Sequence, residues 1–117
     1  KFFDNHPDYF LNPQETRECN TAWLAFPILI KEDAPFTRKE FQIFLEKRNI
    51  QTRVVFTGNI LRQPMCQNIS KKVLEEGYPN ADRVMAKGVL LPLHHGMTET
   101  MFIRLHATID EFIGQYE

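Results

Sequence analysis

A small α/β domain, built as a two-layer sandwich with helices packed on a three- to four-stranded sheet, is the fold class that three observations predict. Three short runs rich in apolar, β-branched and aromatic residues, at 21–31, 50–56 and 89–93, have the length and composition of strands. Segments with apolar residues at helical spacing stand between and after them, most clearly at 38–48 and beyond Thr98. Each helical segment is apolar on one side only, so its stripe must be buried against a second layer. Local pattern leaves the strand order open.

Taken in order, residues 1–20 carry Pro7, Pro13 and several Asn and Asp residues and read as a loop, with Phe2, Phe3, Tyr9 and Phe10 able to pack on the body. The opening Lys1-Phe2-Phe3-Asp4 has no methionine or signal-peptide pattern, which gives the expectation of a segment left from an upstream region, followed by one domain over 21–117. The run 21–31 is too short and too β-branched at its end for a buried helix. Pro27 cannot donate a ladder hydrogen bond, so this strand is expected at an edge or with a bulge.

Thr37-Arg38-Lys39-Glu40 is a capping box, and Phe36 and Phe41 are placed as the hydrophobic staple across it. The helix it starts is expected over 38–48, with Phe41, Phe44 and Leu45 as core. Asn49 makes a short connection to a buried strand at 50–56. A short helix is expected over 68–76, ended by Gly77, and a second over 81–87, capped by Asn80 and stopped by Gly88. The strand 89–93 and a long helix capped by Thr98, with Met101, Leu105, Ile109, Phe112 and Ile113 in one stripe, complete the domain.

Composition narrows the function. The chain has 117 residues, 43% hydrophobic and 25% charged, which suits one globular domain. A net charge of −1 gives no electrostatic case for nucleic acid or an anionic membrane as partner, and no apolar run approaches the roughly 20 residues of a membrane span. Cys19 and Cys66 form no C-x-x-C pair and read as reduced thiols of a cytoplasmic protein. His94 and His95 are adjacent on a strand end and point to opposite faces, so no metal site is expected from them. Lys39, Lys71 and Lys72 read as solvated. No nucleophile–base pair, glycine-rich phosphate loop or paired carboxylates stand out, so no catalytic residue is assigned.

The informative stretch is Thr52-Arg-Val-Val-Phe-Thr-Gly-Asn-Ile-Leu-Arg-Gln-Pro64. A strand breaks at Thr57-Gly58-Asn59, residues suited to a sharp turn, and multi-donor side chains follow at Arg62 and Gln63. Loops held at a sheet's end by a rigid scaffold often carry function. The guanidinium of Arg62 matches phosphate or carboxylate oxygens in two-point geometry. The plain alternatives are a solvated loop for Arg62 and Gln63, a turn role for Asn59, a snorkelling or structurally paired Arg53, and core packing of Phe56 in alternation with Val54.

This run resembles the DegT/StrS-type sugar aminotransferase family, nearest the nucleotide-sugar 3-dehydratases, whose members carry T-R-x-x-F-x-G-N-x-x-R-Q-P. The resemblance extends to Trp23-Leu-Ala-Phe-Pro-Ile28 and to Leu91-Pro-Leu-His-His-Gly-Met-Thr98, covering roughly residues 23 to 113. It implies the C-terminal small domain of a fold-type-I enzyme acting on nucleotide-linked 4-keto-6-deoxy sugars in deoxysugar or lipopolysaccharide biosynthesis. Pyridoxal or pyridoxamine phosphate would be held mainly by the missing large domain, and some members carry an iron–sulfur cluster upstream. No cofactor is expected in this piece, which alone is expected to be inactive. The resemblance further implies contacts with the protein's own large domain, a homodimer of the full-length enzyme, and substrate contacts from Arg53, Phe56, Asn59, Arg62, Gln63 and His94. Phenylalanine at position 56 matches the dehydratase-like members, where many aminotransferases carry histidine. The alternatives are a sugar-nucleotide aminotransferase and, in another class, a non-catalytic binding or interaction module.

Overall fold

The computed structural model describes residues 2–117. Its four strands are β1 (Phe10–Leu11), β2 (Phe26–Ile30), β3 (Arg53–Val54) and β4 (Gly88–Leu91), and its α-helices are α1 (Arg38–Glu46), α2 (Pro79–Lys87) and α3 (Glu99–Ile113). The strands form one antiparallel sheet in the order β1-β2-β4-β3. The register Phe10↔Ile30, Ile28↔Val89 and Phe26↔Leu91 sets these side chains on one face, because alternate residues of a strand point the same way. That face is the core, where Ile30 and Val89 are fully buried. It is closed by Phe41 and Leu45 of α1 and by Leu105, Ile109, Phe112 and Ile113 of α3. Phe36, Phe41 and Phe112 knit the two helices together with ring centroids 4.8–6.2 Å apart. The opposite face is covered in part by α2, whose Val84 lines a groove with Leu11, Pro27 and Leu29.

The local signals around α1 are realised. Thr37 Oγ1 accepts from the Glu40 amide at 3.2 Å and a Glu40 carboxylate oxygen accepts from the Thr37 amide at 2.7 Å. The helix ends at Glu46, short of the expected Arg48. Asn49 adopts a left-handed conformation (φ 58°), which lets the Ile50 amide return to the Leu45 carbonyl at 3.0 Å. Thr98 caps α3 and its stripe is buried except for Met101, which is half exposed at the first turn.

Five expectations are corrected. The segment before residue 21 is more than a loop, since Phe10 and Leu11 pair with β2, while Phe3 and Phe10 pack into the core as expected. β2 is an interior strand and is shorter than expected. Pro27 is tolerated there because β1 reaches only Leu29 and Ile30, so Pro27 has a ladder neighbour on the β4 side alone. β3 is a two-residue edge strand whose Arg53 and Val54 are exposed, and Phe56 is 83% exposed, so neither the buried strand nor the core role of Phe56 holds. No helix forms over 68–76. Ile69, Val73 and Leu74 are exposed there, and an apolar spacing without a layer to pack on does not sustain a short helix. Finally, α2 begins at Pro79 instead of after an Asn80 cap, because proline's fixed φ suits the first helical position.

Candidate functional site

The loop leaving β3 is held by its own backbone and by α2. The Gly58 amide donates to the Val55 carbonyl at 3.0 Å, closing a turn in which Phe56 (φ 45°) and Gly58 (φ 61°) are both left-handed. A bulky residue rarely adopts such a φ, and non-glycine residues held there concentrate at functional sites. Gly58 lies against Met85 of α2, so the loop touches the helix directly. Asn59 is buried at 5% exposure and works in two directions. Its Oδ1 accepts from the Leu61 amide at 3.0 Å, which starts the tight turn Ile60–Arg62, and its Nδ2 donates to Asp82 Oδ1 at 2.8 Å.

Arg62 meets the same carboxylate side-on. Nε donates to Asp82 Oδ1 at 2.9 Å and Nη2 to Oδ2 at 2.8 Å, the two-point geometry of a guanidinium–carboxylate pair. Hydrogen bonds from Arg62 and then Asn59 hold the Asp82 carboxyl down at about 2, and Asp82 in turn raises the Arg62 guanidinium. Gln63 Nε2 donates to the Thr57 carbonyl at 2.9 Å and fastens the loop's two ends. Asn59, Arg62, Asp82, Tyr78 and Lys71 border a cavity of about 360 Å³. The Lys71 ammonium donates to the carbonyls of Cys66 and Gln67, closing the loop's far side.

Phe56, Asn59, Arg62 and Gln63 are therefore brought together on one scaffolded loop. Arg53 stands at the edge strand just before it, exposed and with no ion-pair partner among the described residues. His94 is not part of this grouping. It lies on the segment that continues past Leu91, the last residue of β4, whereas the loop leaves β3 beside the first residues of β4, so the two lie at opposite ends of the sheet. His94 Nδ1 accepts from the Gly96 amide at 3.1 Å, and the ring borders a separate cavity with Gln51, Met97 and Arg104. No group of three or more His, Cys, Asp or Glu side chains that could hold a metal ion occurs among the described residues. Cys19 and Cys66 are free thiols.

Lys39 and Lys72 are exposed, Lys87 pairs with Glu32, and Lys71 is engaged with backbone carbonyls. Asp82 is the site residue that the sequence did not disclose. It lies 20 residues from Arg62, and its only local signal is an acidic residue in the first turn of a helix. No helix among the described residues is long and apolar enough to cross a membrane.

Comparison with known proteins places this fold and loop in a family. The chain is 32% identical over 102 residues to a lipopolysaccharide biosynthesis protein of Salmonella typhimurium, spanning 87% of this chain and 23% of that protein. It is 33% identical over 105 residues to a dTDP-4-dehydro-2,6-dideoxy-D-glucose 3-dehydratase of Saccharopolyspora spinosa, spanning 90% of this chain and 22% of that protein. The solved structure of Escherichia coli GDP-4-keto-6-deoxy-D-mannose 3-dehydratase with bound hydrated pyridoxal phosphate superposes with a TM-score of 0.77 at 25% identity, covering 92% of this chain and 28% of that one. The chain thus spans about a quarter of the length of these relatives. A model of the DegT/DnrJ/EryC1/StrS aminotransferase family matches residues 2–110, and the chain belongs to that family.

Proposed function

We propose that this chain is the C-terminal small domain of an enzyme dependent on pyridoxal or pyridoxamine phosphate that acts on nucleotide-linked 4-keto-6-deoxy sugars as a 3-dehydratase, in deoxysugar or lipopolysaccharide biosynthesis. The observation that carries the reading is one-third identity over nine-tenths of the chain to a 3-dehydratase for a dTDP-linked sugar. The cofactor, when bound to the rest of the protein, supplies the electron sink for chemistry at the sugar. This chain supplies the loop at 56–63. Arg62 offers its outward N–H groups to phosphate or sugar oxygens, Asn59 and Gln63 hold the backbone that presents it, and Arg53 adds positive charge beside it.

Phe56 presents an exposed ring at a fixed, left-handed position, which suits lining a pocket and keeping water from a reacting sugar. Ile60 and Met65 are exposed as well, and the large domain of the same protein would cover these apolar side chains. A cytoplasmic homodimer of the full-length protein completes the reading. The second reading, a sugar-nucleotide aminotransferase, is favoured by the family's own name.

The test is turnover by the full-length protein of GDP-linked and dTDP-linked 4-keto-6-deoxy sugars with each form of the cofactor, followed by mass spectrometry. Loss of the 3-hydroxyl supports the dehydratase. An aminated sugar gives the second reading, and absence of turnover with binding retained would return the protein to a non-catalytic module.

A further inference from the structure

The contacts of Asp82 divide the Arg62 guanidinium into a spent edge and a free one. Of the five N–H groups of a guanidinium, Asp82 takes the one on Nε and one on Nη2. Both hydrogens on Nη1 and the second on Nη2 are left pointing away from the carboxylate, and the Arg62 side chain is 64% exposed. An arginine otherwise carries rotamer freedom that a ligand would have to remove. Asp82 lies in the first turn of α2, and its Oδ1 also accepts from Nδ2 of the buried Asn59, whose Oδ1 accepts from the Leu61 amide and fixes the turn that carries Arg62. One carboxylate therefore registers both the backbone of the loop and the head group of its arginine against a single helix.

We propose that Asp82 is a positioning residue that presents the free edge of Arg62 to an oxyanion of the ligand, of the nucleoside-diphosphate class. The inference rests on the proposed role of Arg62 in substrate binding and deepens it. Ordering Arg62 before binding lowers the cost of association, which is the general effect of preorganisation. The carboxylate already accepts three hydrogen bonds from the loop, so it is occupied in holding the arginine.

The experiment uses the full-length protein with GDP and dTDP as probes, titrated by calorimetry into wild type, Arg62→Ala, Asp82→Ala, Asp82→Glu and the Arg62→Ala/Asp82→Ala double variant. Positioning predicts about tenfold weaker binding in either single alanine variant and partial recovery in Asp82→Glu. The double variant should be no weaker than Arg62→Ala, since residues that act as one unit are not additive. Thermal denaturation of each variant separates affinity from folding, and Asp82→Asn, which keeps the shape and part of the hydrogen bonding, serves if Asp82→Ala unfolds.

If Arg62→Ala weakens binding and Asp82→Ala does not, the positioning role is overturned while the role of Arg62 stands. Tighter binding in Asp82→Ala would show a carboxylate that competes for the arginine, and also overturns it. If Arg62→Ala leaves both affinities unchanged, the underlying role of Arg62 fails first.

Discussion

Gly58 and Met85 approach so closely that a Cβ added to the glycine would lie 2.3 Å from Met85 Cβ. This contact joins the loop after β3 to α2, and Gly58 is also left-handed, so two independent penalties fall on one substitution. Gly58→Ala should destabilise the protein by about 2–5 kcal/mol, combining left-handed strain of about 1–2 with overpacking of about 1–3. Thermal or urea denaturation measures this directly, and a change below about 1 kcal/mol would mean that the loop moves freely off the helix.

The Asp82 carboxyl predicts a particular acid dependence. Its value falls from the ordinary 3.8 to about 2 in the folded protein, first through Arg62 and then through Asn59. A depressed folded-state value gives stability that is present above 3.8 and lost as pH falls toward 2, because the unfolded chain takes up the proton first. The melting temperature of the wild type should therefore fall more steeply between about pH 4 and pH 2 than that of Asp82→Asn. Parallel curves over that window would remove the Asp82–Arg62 pair from the account.

The two phenylalanines Phe41 and Phe56 should behave in opposite ways. Phe41 is fully buried between α1, α3 and the sheet, so Phe41→Ala should cost about 3–5 kcal/mol. Phe56 is 83% exposed, and Phe56→His should stay within about 0.5 kcal/mol of wild type, as surface substitutions usually do. Under the proposed function, the same histidine in the full-length protein adds a group able to move a proton near neutral pH, and the ratio of amino-transfer to dehydration products should change. A clear loss of stability together with an unchanged product ratio would reject the pocket role of Phe56.

These contrasts show which parts of the fold were legible in the chain. The capping box at Thr37 and Glu40, the staple of Phe36 and Phe41, and the stripe of α3 were readable because every partner lies within a few residues. β1 was missed because a two-residue strand owes its existence to the edge of β2, about twenty residues away, and not to its own composition. The helix expected over 68–76 was read from the spacing of Ile69, Val73 and Leu74, but spacing cannot say whether a layer exists to receive them. In the same way Arg62 was visible as a donor at a turn, whereas its dependence on Asp82 arises only when α2 returns beside the loop. The family resemblance also implies a substrate contact from His94, on the loop after β4; the antiparallel pairing of β3 with β4 puts that loop at the other end of the sheet from Arg62.

Steady-state turnover by the full-length protein carrying Arg62→Ala tests whether the loop ending in Arg62 reads the substrate. With its accepted nucleotide sugar the variant should lose about ten- to hundredfold in kcat/KM, the scale of a lost charge-assisted hydrogen bond, while its melting temperature at neutral pH should fall only by the small contribution of an exposed ion pair. An unaltered kcat/KM would contradict the account and leave Arg62 as a structural tie between the loop and α2.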